Sequence, residues 1–170
     1  MTQTKTARGF TLIELLVVIA IIGVLSSIVI ASLSAARNKG NDAKRLADLS
    51  SVQTALELYY GQHGYTYPSV SGWRSQCSTW GGYASANDII PGLAPDYLPK
   101  IPADPQMNTA SNVCCYLYYS NGVDYKFLAH NCPSSNVCYG SGEATGGFPD
   151  PVRPTWACTV YSTSVSGQSW

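Results

Sequence analysis

The chain opens on nine polar residues and then turns abruptly apolar. From Phe10 to Leu33 the sequence F-T-L-I-E-L-L-V-V-I-A-I-I-G-V-L-S-S-I-V-I-A-S-L carries aliphatic side chains on every face, with Glu14 its one charge. A run of about twenty such residues is long enough to cross a bilayer as a helix. Beyond it the pattern changes: Leu46, Leu49, Val52, Leu56 and Tyr59 recur at steps of three and four, with Lys44, Asp48, Ser51 and Glu57 on the other side. That spacing predicts an amphipathic helix. No proline intervenes before Pro68, so Phe10 to about Tyr60 reads as one helix of roughly 75 Å. Gly23 and Gly40 are its weak points, and Gly61, Gly64 and Pro68 end it. The Lys44 and Asp48 pair reads as a solvated helix face.

In the C-terminal part the period shortens. V-C-C-Y-L-Y-Y (113–119), S-N-G-V and D-Y-K-F-L-A-H (124–130) predict a β-hairpin with Asn121 and Gly122 in the tight turn. V-C-Y-G around Cys138 and W-A-C-T-V-Y-S around Cys158 predict further short strands. The expected fold class is α+β: a long N-terminal helix, membrane half followed by amphipathic half, packed on a small antiparallel sheet in a disulfide-stapled head. The expected organisation is a leader over residues 1–9, a membrane or filament-core helix over 10–34, an amphipathic helix over 35–62 and a globular head over 63–170.

Charge adds two points. Ten basic residues balance ten acidic ones among 170, and no basic field is left to neutralise phosphates, which argues against nucleic acid as a partner. Lys5 and Arg8 stand before the apolar run with no acid beside them, which keeps that end cytoplasmic and sends the head across the membrane.

All six cysteines, Cys77, Cys114, Cys115, Cys132, Cys138 and Cys158, follow residue 76. Confined to the exported part, they read as disulfides in an oxidising space. Zinc is disfavoured because no C-x-x-C occurs and neither His63 nor His130 forms a ligand-spaced pair with them. Six cysteines allow fifteen pairings. The expectation is Cys132 with Cys138 as a local loop, and Cys77 and Cys158 on Cys114 and Cys115, whose side chains would leave a strand on opposite faces. His63, His130 and the loop serines form no catalytic constellation, so no enzyme is expected.

Glu14 needs a reason, because an ionisable group in a membrane helix is costly. G-F-T-L-I-E (9–14), behind a short basic leader and before an unbroken aliphatic run, resembles the cleavage and methylation signal of type IV prepilins and type II secretion pseudopilins. The resemblance implies that a prepilin peptidase cuts between Gly9 and Phe10 and methylates Phe10, and that Glu14 serves assembly. It also implies polymerisation with copies of itself, driven by a cytoplasmic ATPase through a membrane platform, together with minor pilins. Many relatives carry a proline where this chain has Ala31, with Gly23 or the Ser26 and Ser27 pair as a softer point instead. A-L-E-L-Y-Y-G-Q-H-G-Y-T-Y-P and L-P-K-I-P-A-D-P (98–105) extend the likeness, which is strong over residues 8–68, weaker to about 130 and absent beyond. Major pseudopilins bind calcium in a head loop; here G-S-G-E-A-T-G-G-F-P-D offers Glu143 and Asp150 as oxygen ligands. The alternatives to a shaft subunit are a minor tip pilin with a ligand- or DNA-binding head, and a membrane-tethered binding domain.

Overall fold

The computed structural model describes residues 10–78, 86–132 and 157–162. The chain divides into two compact units, one running to Arg37 and one from Asn38. Helix α1, Leu12–Gln62, supplies residues to both. It passes without interruption through Gly23, Gly40, Ala31 and the Ser26 and Ser27 pair, so none of the expected soft points breaks it. A Cβ at either glycine would meet nothing within 4 Å, and no packing within the chain requires glycine there. The Ser27 and Ser32 hydroxyls fold back onto the carbonyls of Val24 and Val29.

In the first unit no described residue covers the apolar side chains. The large ones from Phe10 to Leu33 are between 46% and 82% exposed, far beyond what a folded protein in water tolerates over so long a stretch. Burial for this surface has to come from beyond its own unit. The helix is the one described element long and apolar enough to cross a membrane.

The second unit is built the ordinary way. One face of α1 buries Asp42, Arg45, Leu49, Val52, Ala55 and Leu56. This corrects the expected stripe by one residue at its start: Leu46 is only half-buried, and Arg45 takes the inward position. The helix closes at Gln62. Gly64 (φ 64°) takes the left-handed conformation, and the Tyr65 N–H reaches back to the Tyr60 carbonyl at 3.0 Å, a Schellman closure that glycine makes cheap.

Four strands form one antiparallel sheet in the order β1 (Arg74–Ser75), β2 (Cys115–Ser120), β3 (Tyr125–His130) and β4 (Ala157–Tyr161). β2 and β3 are the expected hairpin, with Ser120 opposite Tyr125. In its turn Asn121 Oδ1 accepts from the Val123 and Asp124 amides, and Gly122 sits at φ 95°. β4 is the strand expected around Cys158, whereas the one expected around Cys138 lies outside the described residues. Alternation sends Tyr116, Tyr118, Tyr125 and Phe127 into the core under α1, and Cys115, Leu117 and Leu128 to the opposite face with Cys77.

The disulfides bear out one part of the expected pairing, Cys77 on one of the two adjacent cysteines, and correct the rest. Cys77 bonds Cys115, with Cα atoms 5.9 Å apart, and Cys114 bonds Cys132, with Cα atoms 4.4 Å apart. Cys132 is therefore not joined to Cys138, and Cys158, itself oxidised, takes neither Cys114 nor Cys115. The reason lies in the hairpin. Cys114 precedes β2 in a left-handed conformation (φ 56°), and its N–H donates to the Asn131 carbonyl at 2.9 Å. Closing the hairpin thus sets Cys114 beside Cys132, and proximity in space overrides proximity in sequence.

Candidate assembly site

Thr11 stands just before α1 and Glu14 at its third helical position, the spacing of a capping box. The Thr11 N–H and hydroxyl donate to Glu14 Oε2 at 2.8 and 2.6 Å, and the Glu14 N–H points back to Thr11 Oγ1 at 3.3 Å. The T-L-I-E string (11–14) carries the spacing of this box in the sequence itself. The box orients the carboxylate at the positive end of the helix dipole. Glu14 Oε1 has no partner among the described residues, and Glu14 lines a shallow, open cleft with the apolar side chains of Phe10, Ile13, Val17 and Val18. Such a carboxylate can accept one more strong donor in an otherwise apolar setting, and an amine is the natural candidate. The other expected processing residues, Lys5, Arg8 and Gly9, lie outside the described residues, as do Cys138 and the calcium candidates Glu143 and Asp150.

Charge in the second unit is handled differently, and the sequence reading missed it. The Arg45 guanidinium is fully buried. Its Nη1 donates to Asp42 Oδ1 at 2.8 Å, its Nε and Nη2 fork onto the two oxygens of Asp104, and Nη2 also reaches Gln106 Oε1 at 2.8 Å. Burial alone would push the guanidinium pKa down, but Asp104 and then Asp42 outweigh it and hold it above its ordinary value. The cluster ties α1 to the 104–106 segment. Lys44 does form the surface pair with Asp48 at 2.6 Å, but Asp48 also accepts from the buried Tyr116 hydroxyl at 2.8 Å, so that face is not wholly solvated.

Of the tyrosines, which could have served adhesion or packing, Tyr67, Tyr116, Tyr118 and Tyr125 fill the core, while Tyr65 is exposed. Tyr67 and Tyr125 both donate to Glu57, at 3.1 and 3.5 Å, and Tyr118 donates to the Pro68 carbonyl at 2.8 Å. Burial first, and then the neighbouring carboxylates Glu57 and Asp48, push the Tyr67, Tyr125 and Tyr116 phenols well above their usual range. Of the two histidines, His130 ends β3, and His63 stacks on Tyr59 with ring centroids 3.7 Å apart.

Comparison with known proteins gives a consistent picture. Residues 4–30 match the family described as the prokaryotic N-terminal methylation motif. The type II secretion system core protein G of Escherichia coli is 33% identical over 114 residues, 64% of this chain and 72% of that protein. Its counterpart in Klebsiella pneumoniae is 32% identical over 98 residues, 58% of this chain and 68% of the relative. The type IV wide pilus major component PilA4 of Thermus thermophilus is 47% identical over 55 residues, 32% of this chain and 42% of its own length. No solved structure matches the chain significantly.

Proposed function

The chain belongs to the family of type IV prepilins and type II secretion major pseudopilins, and from that premise we propose that it is cut between Gly9 and Phe10 and polymerises through α1 into a filament. The observation that carries this reading is the exposed apolar helix of the first unit, capped at its start by one carboxylate with an open oxygen. Before assembly a bilayer covers that surface; afterwards other copies do. The leader keeps the N-terminus cytoplasmic, the head lies on the far side, and a peptidase, an assembly platform and a cytoplasmic ATPase act on the precursor. The role is structural rather than catalytic.

Cleavage has a physical consequence. It removes Lys5 and Arg8 and creates an α-amino group, whose pKa near 8 leaves it largely cationic at neutral pH. The Glu14 of an adjacent copy is its partner. Two charges that are each costly in an apolar setting become tolerable together, so the pair sets the axial register of neighbouring helices more than it adds stability.

Intact mass and N-terminal analysis of the protein from its own host test the reading. A mature chain starting at methylated Phe10 is expected. An intact Met1, or a cut near Ala36, would overturn it. A calcium site on Glu143 and Asp150 is a separate proposal, and calorimetric titration that gives no calcium-dependent heat would dispose of it.

A further inference from the structure

Cys114 and Cys132 are buried, and each sulfur faces a charge of opposite sign. Arg45 Nη2 lies 3.6 Å from Cys114 Sγ, and Asp104 Oδ2 lies 3.6 Å from Cys132 Sγ. In so enclosed a place water and salt screen these charges weakly. A cation beside a sulfur stabilises its thiolate and makes it the better leaving group, and an anion does the reverse. The Cys114–Cys132 bond is therefore polarised, with Cys132 the sulfur open to attack and Cys114 the one that departs. The Cys77–Cys115 bridge has a different setting: Cys77 Sγ lies 3.9 Å from the neutral Asn108 carbonyl, and the pair packs among Leu117, Leu128 and Ala157.

Position in the sheet acts in the same direction. Cys115 lies in the β2–β3 ladder opposite His130, while Cys114 and Cys132 stand just outside it at the end of the hairpin. Fraying of a hairpin end needs less free energy than opening its ladder, so access comes first to the outer pair.

We propose that Cys114–Cys132 is a redox latch over the Arg45 and Asp104 pair, which exchanges with small thiols before Cys77–Cys115 does. In the first step a thiolate attacks Cys132 Sγ, the bond between the cysteine sulfurs breaks, and Cys114 leaves with the electron pair as a thiolate beside Arg45. A second thiolate then resolves the mixed disulfide on Cys132. The two small thiols end as their own disulfide, and the protein has gained two electrons.

Full-length protein in detergent, exposed to graded glutathione, acid-quenched, alkylated and peptide-mapped, tests this. Alkylation at Cys114 is expected, with a glutathione adduct on Cys132, while Cys77 and Cys115 stay blocked. Arg45→Gln should lower the ratio of Cys132 to Cys114 adduct by roughly threefold or more, whatever it does to the overall rate, and Arg45→Lys should lower it less. Should these variants fail to fold, the wild-type adduct position still decides. An adduct on Cys114, or Cys77–Cys115 opening first or at the same rate, would overturn the proposal.

Discussion

Helix α1 treats charge and apolar surface in opposite ways along its length. Between Phe10 and Leu33 the apolar side chains are exposed and the only charge is a carboxylate bonded to its own helix start. Between Asp42 and Leu56 one apolar face, Leu49, Val52, Ala55 and Leu56, is buried and a guanidinium is buried with it, satisfied by two carboxylates and an amide. The second stretch completes its interactions within the chain. The first leaves its apolar surface uncovered within its unit, and on the proposed function a bilayer and then other copies complete it. A helix whose two halves obey different solvents suits a subunit that is first a membrane protein and then part of an assembly.

The largest expected effect separates the two roles of Glu14. Glu14→Ala should leave membrane insertion intact and reduce sheared filaments more than tenfold, because the N-terminal amine of the next copy loses its partner. Glu14→Gln keeps the capping box, which accepts glutamine, but removes the charge. Filaments should fail in this variant too. Thr11→Ala costs the cap about 1 kcal/mol but spares the charge, and it should still assemble. Normal filaments from Glu14→Gln, scored by immunoblot of the sheared fraction, would reduce Glu14 to a local cap and erase the contrast between the two halves.

Next in size is Arg45. Arg45→Met leaves Asp42 and Asp104 buried without their cation, and should destabilise the head by about 3–5 kcal/mol. Urea unfolding of the disulfide-intact protein, followed by head tyrosine fluorescence, measures it. Replacing Asp42 and Asp104 by apolar residues as well should restore most of the loss, since a buried ion cluster and a packed apolar one differ little in net stability. A loss under about 1 kcal/mol for the single change would mean that water reaches the cluster.

Alkaline pH sharpens the comparison further. Tyr67, Tyr116, Tyr118 and Tyr125 have folded-state pKa values raised above the unfolded value near 10. The folded state thus holds protons that the unfolded state releases. The stabilisation they give is complete below about pH 10 and is lost as pH rises beyond it. The head should unfold progressively there, while the stretch from Phe10 to Leu33, which contains no tyrosine, keeps its helicity in detergent. Tyr116→Phe should cost about 1 kcal/mol at neutral pH through the lost bond to Asp48, yet reduce the alkaline slope. Circular dichroism against pH, with and without the substitution, checks both.

Periodicity made the helix, the hairpin and the strand around Cys158 legible, because burial of one face leaves a repeat in the sequence. Arg45 was not legible: its partner Asp104 is 59 residues away, and only the fold brings the two together. The same holds for Cys114 and Cys132, where a left-handed residue ahead of β2 decides the pairing. Glu14 was legible twice over, as the acid of the family signal and as the third position of a capping box, and only the hydrogen bonds displayed the second role.

The smallest expected effect comes from the residue adjacent to Arg45. Lys44 also carries a cation and also meets a carboxylate, Asp48 at 2.6 Å, but its side chain is 47% exposed. Coulomb attraction there is screened by water and offset by the entropy of fixing a long side chain, so Lys44→Ala should cost no more than about 0.5 kcal/mol and less at high salt. Asp48→Asn should cost more, because it weakens the acceptor of the buried Tyr116 hydroxyl whether or not Lys44 is present. A double-mutant cycle on Lys44 and Asp48, set beside one on Arg45 and Asp104, isolates the pair terms. If the exposed pair couples as strongly as the buried one, burial is not what distinguishes neighbouring positions on this helix.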